Sequence, residues 1–286
     1  MNGIVIVDKP QSWTSQDVTA RLRRVFQTRR IGHGGTLDPM ATGVLPVFVG
    51  RGTRGVEFFE HEEKTYETVL KLGITTDTED IWGSVLTQSP VSVTEEQVEA
   101  VLSRFRGEIM QVPPMYSALK VNGQKLCDLA RKGQQVQRQP RPITIHQLTL
   151  LEQGEDTLRL QVRCSKGTYI RTLCKDIGEA LGCGGCMQQL RRISAGEYTI
   201  EEAVPLEALL ESENPEQFLR PVDSMFRSYP RVKLTANQEK RCRNGNPFSL
   251  SVPDGTYRAY SESGEFLMLG KVESGIMSTI KSFFEP

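Results

Sequence analysis

The chain has 286 residues, with 35 basic and 35 acidic side chains and a formal net charge of zero. At 38% hydrophobic it can bury a substantial core, as one large domain or a domain with a small appendage. No apolar run approaches the roughly 20 residues that span a bilayer, and the start, Met1 to Asp8, lacks the basic lead-in and the apolar length of a signal peptide. A cytoplasmic location is expected, with the six cysteines (127, 164, 174, 183, 186, 242) reduced.

Gly3 to Val7 reads as a short buried strand, ended by Asp8-Lys9-Pro10. Ser15 is positioned to cap a helix running to about Gln27, with Val18, Leu22, Val25 and Phe26 at helical spacing. A glycine-rich loop follows, then the apolar run Gly43 to Gly50, a buried strand despite Pro46. Thr53 to Glu60 is a short helix. Lys64 to Leu72 alternates with the period of a strand. Thr75 to Asp80 is an acidic loop without the glycine and terminal glutamate of a calcium loop. Thr94 and Gln97 form a capping box for a helix to about Phe105. Prolines extend Val112 to Tyr116, Asn122-Gly123 is a hairpin turn, and Leu126 to Lys132 is helical.

Ile143 to Leu151 and Thr157 to Cys164 read as antiparallel partners. Tyr169 to Leu181 is a helix with Ile170, Leu173, Ile177 and Leu181 inward, broken by Gly182 to Gly185. Leu190 to Ile200 is extended, Pro205 to Leu210 a short acidic helix, and Pro221 to Pro230 a linker. Beyond it, turn signals at Asn244-Gly245, Pro253-Asp254-Gly255 and Ser263-Gly264 mark a small β module.

The neutral total hides a segregated charge. Seven arginines (21, 23, 24, 29, 30, 51, 54) and one acid lie between Val18 and Val56, and six bases and one acid between Leu119 and Pro142. Six glutamates and no base lie between Glu201 and Glu216. Such clusters are the footprint of a phosphate backbone, or ordinary solvated faces.

The most informative stretch is Arg30 to Gly43. Its four glycines permit close approach to a ligand, and Pro39 holds Asp38 extended. A lone carboxylate on a stiff loop beside a core strand suits catalysis, and equally suits a turn in which Asp bonds its own backbone. Other chemistries lack their residues. The three histidines (33, 61, 146) have no metal-ligand spacing, and no nucleophile elbow or phosphate loop is present. Cys183-Gly184-Gly185-Cys186 has redox or half-zinc spacing, but it follows a helix and no second pair accompanies it.

Five segments in order carry a resemblance. They are Gly3-Ile4 through Asp8-Lys9-Pro10; Gly32 to Gly43; Lys64-Thr65-Tyr66; Gln111 to Lys120; and Cys164-Ser165-Lys166-Gly167-Thr168-Tyr169-Ile170-Arg171. Together the chain resembles the TruB-type tRNA pseudouridine synthases over nearly its whole length. The resemblance implies an α+β catalytic domain over residues 1–228, with a mixed, mainly antiparallel central sheet flanked by helices. A small PUA-like β barrel over 229–286 follows, similar to an RNA-binding domain. The implied activity is isomerisation of uridine 55 in the T-loop of tRNA to pseudouridine, by base flipping, without cofactor or metal. The implied partner is the T-arm and T-loop of tRNA, with no membrane, for a monomeric enzyme. The family's catalytic aspartate falls on Asp38. His33, Tyr66, Tyr169 and Leu190 fall around the flipped nucleotide, Tyr66 stacking on the uracil, and Arg171 pairs with Asp38. Two other classes stay open on the residues alone: an RNA-binding module in which Asp38 is a turn residue, and a thiol oxidoreductase using Cys183 and Cys186.

Overall fold

A computed structural model describes residues 1–121 and 123–285. Its chain divides into two units, Met1–Asp38 with Leu45–Glu60 and Glu201–Pro286, and Pro39–Val44 with His61–Ile200.

In the first unit the strand Gly3–Lys9 is apolar throughout its first five residues and pairs in parallel with Val204–Pro205. Its other neighbour is the strand Thr42–Val49, whose end pairs antiparallel with Ile31–His33. The helix Ser15–Val25 buries Val18 and Leu22 as the spacing requires. Its cap differs from the expected one. Thr14 occupies the cap, its hydroxyl accepting from Asp17 N while the Asp17 carboxylate accepts from Thr14 N. Ser15 is turned inward instead, accepting from Leu37 N at 2.8 Å and donating to Leu37 O at 3.1 Å. Adjacent hydroxyls compete for the cap, and a partner 22 residues away decides between them.

The C-terminal part is a five-stranded sheet in the order Arg231–Lys233, Gly255–Tyr260, Phe266–Glu273, Ile276–Ser282, Phe248–Ser249. Leu234, Phe248, Leu267, Met268, Val272 and Met277 fill its core with the helix Ala236–Arg243. The expected linker is no linker. Val222–Phe226 forms a 3₁₀ turn whose Val222 and Phe226 pack with Leu269 and Phe283 of the C-terminal sheet. The segment expected to be a linker carries Phe226, which is 2% exposed and belongs to a core.

In the second unit the strands run Gly185–Ala195, Lys64–Leu72, Thr157–Cys164, Arg141–Gln153, Gly107–Gln111, each antiparallel to the next. Thr42 and Gly43 pair in parallel with Arg191 and Arg192, so the large sheet is mixed and mainly antiparallel, as expected. Along Lys64–Leu72 every second residue is buried, the strand period seen in the sequence. The helices Glu95–Ser103 and Ile170–Ala180 form where their patterns lie, the former with the Thr94–Gln97 box.

Two elements differ from expectation. The strand expected from Leu190 begins at Gly185, because Met187 also exchanges backbone bonds with Glu79 and Ile81. The acidic loop is the tip of a hairpin, Ile74–Thr76 with Val85–Gln88. The hairpin expected at Asn122-Gly123 pairs Val121 with Gln124, although Asn122 itself lies outside the described residues. No helix among the described residues is long and apolar enough to cross a membrane.

Candidate active site

The loop bearing Asp38 is anchored on both sides of the carboxylate. Leu37 is 3% exposed, with both backbone polar groups held by the Ser15 hydroxyl. Met40 and Ala41 are buried two and three residues later, while Asp38 itself is only half-buried. Further on, Gly43 has a φ of 100°, and a Cβ there would lie 2.2 Å from Arg192 O, so only glycine fits. Arg192, almost fully buried, donates from Nε to Val44 O at 2.6 Å. Fixed neighbours on both sides hold the backbone of Asp38 in place, so its half-buried carboxylate is presented from a preorganised loop. His33 closes the strand Ile31–His33 opposite Val47, half-buried, in the same unit.

The other four expected residues belong to the second unit. Tyr66 is 8% exposed on Lys64–Leu72, with Val162 and Arg192 as its cross-strand neighbours. Leu190 lies on the adjoining strand opposite Thr68, also 8% exposed. Tyr169 occupies the N-cap of the helix Ile170–Ala180. Gln111 clamps it, accepting from Tyr169 N at 2.9 Å and donating to Tyr169 O at 3.1 Å. Arg171, the second residue of that helix, is 5% exposed and donates to Thr78 O at 3.1 Å and to Tyr116 O at 2.8 Å. The Asp80 carboxylate lies 3.9 Å from its Nη1. Next to it Thr172 donates to Glu79 at 2.6 Å, tying the same helix to the same hairpin tip. A buried guanidinium held by carbonyls and a carboxylate is fixed in direction, so it can aim a charge.

The thiol chemistry has no support. All six cysteines are free, and Cys183 and Cys186 are buried. Burial pushes the Cys186 thiol up to about 11 and those of Cys164 and Cys174 to about 12, far from the thiolate a redox pair needs.

Residues 23–170 match the N-terminal domain of the TruB family of pseudouridylate synthases, and residues 171–227 match the C-terminal domain of tRNA pseudouridylate synthase B. The chain belongs to the TruB family. It is therefore a pseudouridine synthase, an isomerase. Among TruB relatives, the tRNA pseudouridine synthase B of Ralstonia pickettii (strain 12J) is 47% identical over 262 residues, covering 89% of this chain and 82% of its own length. That of Clostridium kluyveri is 40% identical over 289 residues, covering 99% of this chain and all of its own. A chain in the crystal structure of a Cbf5-Nop10-Gar1 complex shares the fold with a TM-score of 0.73, at 24% identity, covering 99% of this chain and 85% of that one.

Residue patterns alone do not single out several of the contacts around these side chains. Gln111 and Tyr116 stand inside a family segment but carry no chemical signature of their own. Thr78 and Asp80 read as an acidic turn. Ser15 read as a cap, and only its contact with Leu37 reveals its task.

The helix bearing Arg171 also carries an unusual acid. Burial pushes the Asp176 carboxyl up to about 6, with Lys175 opposing and Glu179 and Glu79 adding to the shift. The native state thus holds a proton between about pH 4 and 6 that the unfolded chain releases, so stability falls as pH rises through that window and is level above it. Asp176→Asn should stabilise the protein by about 1 kcal/mol at pH 7, after discounting for the carboxyl's partial exposure, and by nearly nothing at pH 4. Urea midpoints at both pH values check this; an equal gain at both would detach Asp176 from the effect.

Proposed function

We propose that this enzyme converts uridine 55 in the T-loop of tRNA to pseudouridine, with Asp38 as its catalytic carboxylate. The observation that carries the reading is the fixed presentation of Asp38 between Leu37 and Met40, in a member of a family whose named relatives act on tRNA. The C1′–N1 glycosidic bond breaks, the uracil turns, and C5 bonds to C1′. The hydrogen on C5 leaves as a proton and N1 gains one, so atoms and electrons balance without redox change or hydrolysis. Asp38 acts either as nucleophile at C1′ or as base on the ribose, giving a glycal; both routes need an ionised carboxylate beside the sugar.

The remaining residues act on the nucleotide. A uridine stacked in a folded loop must be flipped out before its sugar is reached, and an aromatic face then replaces its lost stacking partners. Tyr66 supplies that face, with Tyr169, Leu190 and His33 around the nucleotide. Arg171 pairs with Asp38 and aims it. Arg21, Arg24, Arg29 and Arg30 are exposed and contact tRNA phosphates. Residues 1–228 form the catalytic domain and 229–286 a PUA-like RNA-binding domain; the family match ending at residue 227 supports that division.

Release of tritium from unmodified tRNA carrying 5-tritiated uridine tests the reaction. One equivalent should be released, and a transcript with cytidine at position 55 should lose that equivalent. Equal release from both transcripts would remove position 55 as the target. Tyr66→Leu should lower turnover by about 100-fold, since base stacking is worth roughly 1–3 kcal/mol, with tRNA affinity within about threefold. Single-turnover release with saturating enzyme, beside filter binding, checks this; unaltered turnover would take Tyr66 out of the site.

A further inference from the structure

The short helix Val56–Phe59 carries two adjacent phenylalanines with separate neighbours, all within the first unit. Phe59 is 3% exposed and meets Phe48 edge-on, with ring centroids 5.8 Å apart. A Cβ on Gly34 would lie 2.4 Å from Phe59 Cδ1 and 3.0 Å from Phe48 Cε2. The backbone of Gly34, four residues before Asp38, therefore rests directly on the Phe59 ring, while its N–H donates to Pro46 O at 2.9 Å. Phe58 meets Phe226 edge-on at 5.4 Å, and Phe226 packs on Phe266 of the C-terminal sheet at 6.1 Å and at 5.6 Å on Phe283, just after the strand Ile276–Ser282. Polar contacts run alongside. Arg54 Nη1 donates to Ser282 O at 2.8 Å and to its Oγ at 2.7 Å, and Glu57 pairs with Lys281.

We propose that Phe59 is a positioning residue for Asp38, and that the helix Val56–Phe59 couples the C-terminal sheet to the loop that presents the carboxylate. The proposal rests on the reading of Asp38 given above. Close-packed rings transmit displacement rather than absorb it; ring contacts run from Phe283 through Phe226 to Phe58, and the backbone of the helix Val56–Phe59 joins Phe58 to Phe59, which meets Gly34. A shift of about 1 Å in a catalytic group can cost on the order of 100-fold in rate, so the ring under Gly34 sets the rate of the chemical step and not the affinity for tRNA.

Two cycles of full-length variants test it, read by single-turnover tritium release at saturating enzyme, tRNA affinity and thermal midpoint. Gly34→Ala should slow release by about 30-fold or more, because its methyl overlaps the ring, and Phe59→Ala by about 10-fold. The double variant should be at least about threefold faster than Gly34→Ala alone, since the truncated side chain vacates the space the methyl needs. Affinities should agree within about threefold, and the thermal midpoints should show the same rescue. In the second cycle Phe283→Leu should slow release by about fivefold in the native background and leave it unchanged in Phe59→Ala. A double variant no better than Gly34→Ala in rate and midpoint, or multiplicative effects in the second cycle, would overturn the proposal. No release by the native protein would overturn the assignment of Asp38 itself, and the midpoint cycle, which needs no activity, tells that case apart.

Discussion

Asp38→Asn should abolish tritium release, by a factor of at least about 10⁴, as expected when a group acting in bond making is removed. Asparagine has nearly the same shape, and the anchors on either side do not depend on the carboxylate: Ser15 holds Leu37 through its backbone, and Met40 and Ala41 are buried. The loop should therefore keep its place. What is lost is an anionic oxygen that can bond to C1′ or take a proton from the ribose. Affinity for tRNA should remain within about threefold, because the phosphate contacts proposed above come from arginines rather than from Asp38. Release by the variant at a tenth of the native rate or faster would dismiss Asp38 as the essential group. Loss of binding together with loss of release would point to a collapsed loop, which Asp38→Glu with native affinity would separate from lost chemistry.

Arg171→Met should destabilise the protein by roughly 3 kcal/mol, lowering the thermal midpoint by about 10 °C. Methionine matches much of the volume of the side chain but donates nothing. The carbonyls of Thr78 and Tyr116 lose their donors at a site only 5% exposed, and Asp80 loses a nearby cation. On the role proposed for Arg171, turnover should also fall by about 100-fold even at 20 °C, where the variant is folded. Arg171→Lys should recover part of the stability and little of the rate, since an ammonium cannot reproduce the planar fork. A methionine variant with native midpoint and rate would show that neither the carbonyl contacts nor the pairing matters.

Much of the fold was legible because it is local. The alternation of Lys64–Leu72, the box at Thr94 and Gln97, and the stripe on Ile170–Ala180 each carry their periodicity in a few consecutive residues. What failed depends on distant partners. Ser15 and Thr14 are equivalent as caps until Leu37 arrives. The segment 221–230 has the composition of a spacer until the phenylalanines of the C-terminal sheet close over Phe226. In the site, Asp38 stands out because glycines and a proline surround it. The clamp of Gln111 on Tyr169 spans 58 residues and leaves no pattern in the sequence.

The first unit is assembled from three separated stretches, Met1–Asp38, Leu45–Glu60 and Glu201–Pro286, whereas the second is mostly the continuous run His61–Ile200. On a ribosome, the strand Gly3–Lys9 emerges long before its parallel neighbour Val204–Pro205, and the Phe58 ring waits for Phe226 and Phe283. Such pairings are slow to close because the intervening chain must first be gathered. The second unit has its own strands to hand by residue 200 and can fold during synthesis. Asp38 therefore sits in the unit whose stretches are completed last in synthesis.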